Sequence, residues 1–206
     1  EPTAEVILLI DNREFIGNGA SRGNYAYEME DALLQCKVRP ELRCLPAGDA
    51  MFILRLTDDG SELVLDHIIE RKTLCDYVES WKDGRVRRQT HALDECGIPR
   101  RMLILEGRLS ELNSCAGLYK ESGPMLQRHL CDLSVGKGYF VHNTRNMRET
   151  VATFASMYRH LERRYSHMSR EELVRRSCGT YSGWAAATAA RSKRLTVEQL
   201  FSLQLC

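Results

Sequence analysis

No stretch of this sequence approaches the roughly 20 consecutive apolar residues that a membrane-spanning helix needs. Close cysteine pairs are missing as well. Eight cysteines occur (Cys36, Cys44, Cys75, Cys96, Cys115, Cys131, Cys178 and Cys206), yet none forms a C-x-x-C pair and no histidines cluster beside them. A zinc site assembled from close ligand pairs is therefore not expected. Most of these cysteines fall inside apolar periodic segments, where a reduced, buried thiol is the expected state, and this points to a reducing compartment. No internal repeat is visible, and net charge is nearly absent at +1.

What is present suits an ordinary globular protein. Hydrophobic residues make up 43% and charged residues 28% of 206 positions, enough for a sizeable core and against wholesale disorder. The length fits one large domain, or one domain with a small appendage. The chain starts at Glu1 and stops in mid-pattern at "VEQLFSLQLC", so it reads as a piece of a longer one. The small net charge hides an asymmetry: residues 1–76 hold 8 Lys and Arg against 15 Asp and Glu, whereas residues 77–206 hold 21 against 13. An acidic half joined to a basic half suits a metal-dependent enzyme acting on a polyanion, and equally suits two solvated surfaces.

Periodicity divides the chain into alternating strands and helices. "EVILLID" (5–11) is a buried strand ending in Asp11, followed by a Gly/Asn/Ser-rich loop at 12–23. Residues 24–37 are expected to be helical, with Pro40 marking the break. "LRCLPAGDAMFILRL" (42–56) reads as a strand, a turn and a strand; "TDDGS" is a hairpin turn, and "ELVLDHIIERK" (62–72) returns beside it. Residues 73–97 are helical with a break at Asp83-Gly84, 100–107 form a strand, 123–135 a helix and 138–143 a strand. The clearest amphipathic helix is 145–165, where Met147, Val151, Phe154, Tyr158, Leu161 and Tyr165 share one face, as core or as a partner-binding stripe. This alternation predicts an α/β fold with a central mixed sheet flanked by helices. Residues 166–194 mix Ser, Gly, Ala and Arg and read as a basic linker or arm, with 195–206 opening another helix.

Chemistry is concentrated where strands end. "DHIIERKTLCD" (66–76) runs from apolar residues into Glu70, Arg71, Lys72 and Asp76. If the hairpin pairs around "TDDGS", Asp49 and Glu70 fall at the same end of the sheet, near Asp11 and Glu14. Glu70 and Lys72 project from one face of their strand and Arg71 from the other. Clustered carboxylates repel, and a hard divalent cation such as Mg²⁺ resolves the conflict while reaching phosphate oxygens. A lysine beside them can hold an attacking water and stabilise developing charge. The spacing equally suits a surface ion-pair network at the rim of the sheet. His67, next to Asp66, is read as a paired strand histidine, and Tyr77 and Trp81 as packing residues. Arg87 and Arg88 either track phosphates or are merely solvated.

The motifs themselves go further. "IERKTLCD" resembles the E-R-K-x-x-x-D signature of the XPF-type structure-selective endonucleases; "LIDNRE" (9–14), "AGD" (47–49) and "DGRVRRQ" (83–89) resemble that family's acidic, G-D and G-R-x-x-x-Q motifs. "ELVLDHIIERK" and "RRMLILEG" most resemble its MUS-type catalytic branch, the crossover junction endonucleases. The resemblance covers residues 4–165, which makes 1–165 the nuclease domain with a restriction-endonuclease-like fold, 166–194 a basic linker or arm, and 195–206 the truncated start of a helix-hairpin-helix region.

By this resemblance, Asp11, Asp49 and Glu70 hold Mg²⁺ or Mn²⁺, with the carbonyl of Arg71 available to the ion. Glu14 is a further acidic contributor on the substrate side. Lys72 positions or activates water, and Asp76 holds Lys72 or Arg71 in place. Arg71 supports the site from its other face or contacts substrate. Arg85 and Gln89, four apart on a helix, face the same cleft and, with Arg88, touch substrate phosphates. The implied substrates are branched DNAs (3′ flaps, forks and nicked junctions), recognised by shape and phosphate contacts. The implied setting is nuclear DNA repair and recombination, in a heterodimer with a non-catalytic homologous subunit. Such a non-catalytic DNA-binding or scaffold subunit is the alternative reading for this chain. Two departures stand out: Cys75 where a second acid is frequent, and Ala50 where an aromatic is common.

Overall fold

Alternation along the strands decides which side of the sheet each residue faces. The structure, a computed structural model, describes residues 3–15, 22–108 and 122–193. Six strands form one sheet: β1 (Ala4–Asp11), β2 (Pro40–Arg43), β3 (Ala50–Leu56), β4 (Glu62–Thr73), β5 (Arg100–Glu106) and β6 (Phe140–Thr144). Their order is β2-β1-β3-β4-β5-β6. β3 runs antiparallel to both of its neighbours, β1 and β4, while β2 pairs parallel to β1, β5 to β4 and β6 to β5, giving the expected mixed sheet.

Even-numbered residues of β1 and β3, with Ile69, Met102 and Ile104, meet α1 (Arg22–Gln35) and α5 (Met147–Tyr165; helices are numbered in chain order). Odd-numbered residues of β1 and β3, with Val64 and Ile68, meet α2 (Leu74–Lys82), α3 (Arg85–Glu95) and α4 (Ser122–Cys131). The result is three layers with the sheet in the middle. Val151, Phe154, Tyr158, Leu161 and Tyr165 are buried against the sheet, so that stripe of α5 serves the chain's own core.

Local chemistry sets the boundaries. Thr73 caps α2 by accepting from the Asp76 N–H at 3.1 Å. Gly84, at φ 73°, makes the left-handed turn between α2 and α3 at the Asp-Gly break. Gly48 has φ +71°, and a Cβ there would lie 2.7 Å from Ile68 Cγ1 and 3.1 Å from the Ile69 carbonyl. Only glycine lets the chain pass this close to β4, and the Asp49 N–H then reaches the Ile69 carbonyl at 2.8 Å.

Two expectations are corrected here. Residues 166–194 were expected to be a basic linker or arm. Instead α6 (Arg170–Arg176) and α7 (Tyr181–Lys193) are helices that pack onto the rest of the fold through the buried Leu173 and Trp184. The backbone of residues 178–180 lies beside the start of β4: Cys178 N–H donates to the Val64 carbonyl at 2.8 Å, and Val64 N–H to the Gly179 carbonyl at 2.9 Å. Trp184 is buried, and its indole N–H donates to the Cys96 carbonyl at 2.9 Å, where α3 ends. The expected helix opening at 195–206 lies outside the described residues. The second correction concerns the thiols: of the six described cysteines only Cys96 is buried, while Cys36, Cys44 and Cys131 are exposed. Cys36 lies just past the end of α1 and Cys44 just past β2, beyond the periodic segments that bury their neighbours. No described helix is long and apolar enough to cross a membrane.

Candidate active site

Three strand ends meet at one end of the sheet, on the adjacent interior strands β1, β3 and β4. β1 delivers Asp11, the turn before β3 delivers Asp49, and β4 delivers Glu70. The backbone ties them together: Asp11 N–H donates to the Asp49 carbonyl at 2.8 Å, as Asp49 N–H does to that of Ile69. The Arg71 N–H donates to Asp49 Oδ2 at 2.7 Å and orients that carboxylate. Asp11 and Glu70 are only 3% and 5% exposed, so two acids are buried at this end of the sheet.

Strand alternation separates Glu70 and Lys72 from Arg71, as the spacing predicts. Lys72 Nζ lies 3.5 Å from Glu70 Oε1, on the side of the sheet that carries α2 and α3. Arg71 projects to the α5 side, where its Nε and Nη2 donate to the two oxygens of Glu106 at 3.1 and 2.9 Å. Glu106 also accepts from Thr150 Oγ1 on α5 at 2.8 Å, and Thr150 Oγ1 is 2.8 Å from Thr144 Oγ1. This buried clamp was missed from the sequence, although Glu106 closes the apolar run of β5 much as Asp11 closes that of β1.

Arg13 is a second residue that sequence reasoning passed over. Its guanidinium donates to both Asp11 oxygens, including at 3.0 and 3.1 Å from Nε, and its Nη2 also reaches the Leu45 carbonyl. The hydrogen bond to Asp11 is the main factor holding Arg13 charged, and Asp49 adds to it through its field. A cation therefore already neutralises the Asp11 end of the cluster.

The other predicted residues divide. Gln89 lines a small cavity together with Glu70 and Lys72, so the G-R-x-x-x-Q segment does reach the site. Arg85 does not: it is exposed, and its Nε donates to Asp83 Oδ2 at 2.6 Å on the outer side of the helix start. Four-residue spacing put the two on one helix face, but the ion pair with Asp83 draws Arg85 outward. Arg88 is exposed. Asp76 stands in the first turn of α2 as expected. Glu14 lies in the short turn after β1 (Asn12–Phe15), and its side chain is outside the described residues. His67 pairs with Asp66 at 2.7 Å between Nδ1 and Oδ1 and takes no part in the cluster; burial lowers its pKa. Tyr77 is buried, and the Arg87 guanidinium stands 5.8 Å from the centre of the Trp81 ring.

Among the described residues, no group of three His, Cys, Asp or Glu side chains is close enough to hold a metal ion. The donor set nevertheless fits a hard divalent cation, because Asp11, Asp49 and Glu70 are all carboxylates. At Asp11 the positive charge beside the carboxylate is the Arg13 guanidinium.

Residues 10–157 match the ERCC4 domain. The chain belongs to the ERCC4 domain family. Every residue of the cluster, its clamp and its cavity lies within that span. The chain is 29% identical over 202 residues to the crossover junction endonuclease MUS81 of Oryza sativa subsp. japonica, covering 98% of this chain and 28% of that protein. It is 33% identical over 165 residues to the structure-specific endonuclease subunit MUS81 of Homo sapiens, covering 78% of this chain and 28% of that one. The chain thus spans little more than a quarter of either ERCC4 relative. Among solved structures, XPF from Aeropyrum pernix superposes with a TM-score of 0.55 at 24% identity, over 76% of this chain and 65% of that one. That likeness shows the shared fold, a six-stranded mixed sheet flanked by helices.

Proposed function

We propose that this ERCC4 domain is the catalytic part of a metal-dependent, structure-selective DNA endonuclease. It would hydrolyse phosphodiesters in branched DNA such as 3′ flaps, forks and nicked junctions. It would work in the nucleus, in repair and recombination, paired with a non-catalytic homologous subunit. One observation supports this most: Asp11, Asp49 and Glu70 lie at one end of the sheet, on adjacent strands, with Lys72 Nζ 3.5 Å from Glu70. The names of two relatives, a crossover junction endonuclease and a structure-specific endonuclease subunit, agree with this reading; the flap and fork substrates and the non-catalytic partner rest on the motif resemblance.

Asp11, Asp49 and Glu70, together with the Arg71 carbonyl, would hold Mg²⁺ or Mn²⁺. Such an ion polarises the scissile phosphate and acidifies the attacking water when bound. Lys72 would orient that water and offset charge developing on the phosphate oxygens. Arg71, clamped to Glu106, holds the Asp49 carboxylate by its backbone N–H and keeps its own charge on the far side of the sheet. Asp76 would steady Lys72, Glu14 would face the substrate, and the exposed Arg85 and Arg88 would meet DNA phosphates.

The test combines calorimetric titration of Mn²⁺ with cleavage of a labelled 3′-flap duplex. Wild type should bind the ion and Glu70→Ala should not. Asp49→Ala should lose cleavage while keeping its fold and DNA binding. Lys72→Ala should keep the ion and lose roughly 10²–10³-fold in rate, as expected for removal of one charge-stabilising donor. Undiminished turnover would remove Lys72 from the mechanism.

One observation favours a second reading, the non-catalytic DNA-binding or scaffold subunit: Arg13 already neutralises Asp11. DNA binding without ion binding or cleavage, with the partner subunit present, would select that reading.

A further inference from the structure

Tyr77 lies on α2 and is 2% exposed. Its ring packs among the apolar residues of that layer, as its helical spacing predicts. Its hydroxyl is not explained by packing. Tyr77 Oη is fully buried and has no hydrogen-bond partner among the described residues, and the same holds for Gln89 Oε1 on α3. Leaving two such atoms dry is costly, and native structures rarely do so.

Both side chains line one cavity, with Glu70 and Lys72 in its wall. The remaining polar groups there are already engaged. Thr90 Oγ1 donates to the Val86 carbonyl at 2.8 Å, and Tyr139 Oη donates to Asp94 Oδ1 at 2.8 Å. The space open to the centre of a water is ≈ 10 Å³. That is about the room one water needs, and a water stays in such a place when two to four polar groups surround it. Glu70 is close by: after burial itself, the charge of this carboxylate is the influence that makes Tyr77 harder to ionise.

We propose that one buried water sits between Tyr77, Gln89 and Glu70, and that Tyr77 and Gln89 act through it as positioning residues for the Glu70 carboxylate. The bonding closes without a remainder. Tyr77 Oη–H donates to the water oxygen, and the two water hydrogens go to Gln89 Oε1 and to a Glu70 oxygen. Glu70 then has Lys72 near one oxygen and a fixed donor behind it, which holds the carboxylate at one setting before any ion arrives. Gln89 works from inside the α2–α3 layer, not as a phosphate contact. The positioning role rests on the reading of Glu70 as an ion ligand; the water itself does not.

The test uses Tyr77→Phe, Gln89→Met and the double variant of this chain, in two arms. In ion-free buffer, urea unfolding should show each single variant with a lower midpoint. The double variant should lose less than the two losses added together, because the same water is lost once. An unchanged or raised midpoint for Tyr77→Phe would overturn the bridge, since phenylalanine would then only remove an unsatisfied hydroxyl. In the second arm, Mn²⁺ titration should show binding weakened about tenfold in Tyr77→Phe, the usual scale for loss of a group that orients a ligand. Wild-type affinity in Tyr77→Phe, with binding abolished in Glu70→Ala, would overturn the positioning role alone. If Glu70→Ala binds Mn²⁺ as well as wild type, the ion-site reading fails and the positioning role with it, while the urea arm still decides the water.

Discussion

Arg71 reaches Asp49 and Glu106 in opposite directions. Its backbone N–H meets Asp49 Oδ2 at 2.7 Å, while its guanidinium crosses to the other side of the sheet and grips Glu106 at 2.9 Å. One residue thus aims an acid of the site and anchors β4 to β5.

That anchor sets a stability prediction. The Arg71 and Glu106 side chains are 13% and 10% exposed, so removing one leaves the other buried without its charge partner. Glu106→Ala should destabilise the fold by about 3–5 kcal/mol, the usual range for breaking a buried pair from one side. Arg71→Met with Glu106→Leu should be markedly less harmful than Glu106→Ala alone. Urea unfolding of the three proteins checks both statements.

Arg13 sets a different kind of prediction. In ion-free buffer, Arg13→Gln should lower the melting temperature, because Asp11 stays buried without its cation. Adding Mn²⁺ should raise the melting temperature of Arg13→Gln by more than it raises that of wild type, since the ion no longer displaces a guanidinium. Equal shifts would mean that Arg13 and the ion do not share Asp11. Scanning calorimetry with and without Mn²⁺ gives the answer.

A network at the far end of β4 predicts acid sensitivity. Glu62 accepts from Arg43 and Arg55, and Glu41 from the same two arginines. The Arg55 hydrogen bond, then that from Arg43, holds the Glu41 carboxyl down at about 2 against an ordinary value of 4.5. A carboxylate depressed in the folded state contributes stability that is fully present above the ordinary value and is lost as pH falls towards the folded one. The melting temperature should therefore fall between about pH 4.5 and pH 2, and less steeply in Glu41→Gln. A parallel pair of curves would remove Glu41 from the acid response.

The C-terminal helices predict the last outcome. Trp184 is 7% exposed, packs in the α2–α3 layer and bonds to the end of α3. Trp184→Ala should destabilise the fold by about 3–5 kcal/mol, the usual range for truncating a buried aromatic. A change below about 0.5 kcal/mol, which is typical of surface positions, would mean that α7 is a mere appendage.

Much of this architecture is legible in the sequence, because its signals are local. Short, nearly continuous apolar runs mark β1 and β3, alternation marks β4, the Asp-Gly turns mark the hairpin and the α2–α3 break, and the stripe from Met147 to Tyr165 marks α5. The nearness of Asp49 and Glu70 follows from hairpin pairing, and Asp11 joins them because β1 pairs with β3. What stays hidden depends on distant partners. Glu106 looks like any acid after an apolar run until Arg71 and Thr150 are placed around it. Residues 166–193 hide for another reason: α7 is rich in alanine and carries Trp184 without an apolar stripe, so composition resembles a linker while a few buried contacts hold it down. Tyr77 is legible as packing, but only the cavity shows where its hydroxyl ends.

The pairing of residues 178–180 with β4 has a mechanical consequence. β4 is held from both sides near its start, by β3 and by the Cys178–Thr180 backbone, and near its end, by β3 and β5. Glu70 and Lys72 thus sit near one end of the same strand whose other end meets the root of α7, and the one irregularity between them is the bulge where pairing with β3 skips from Val64 to Ile68.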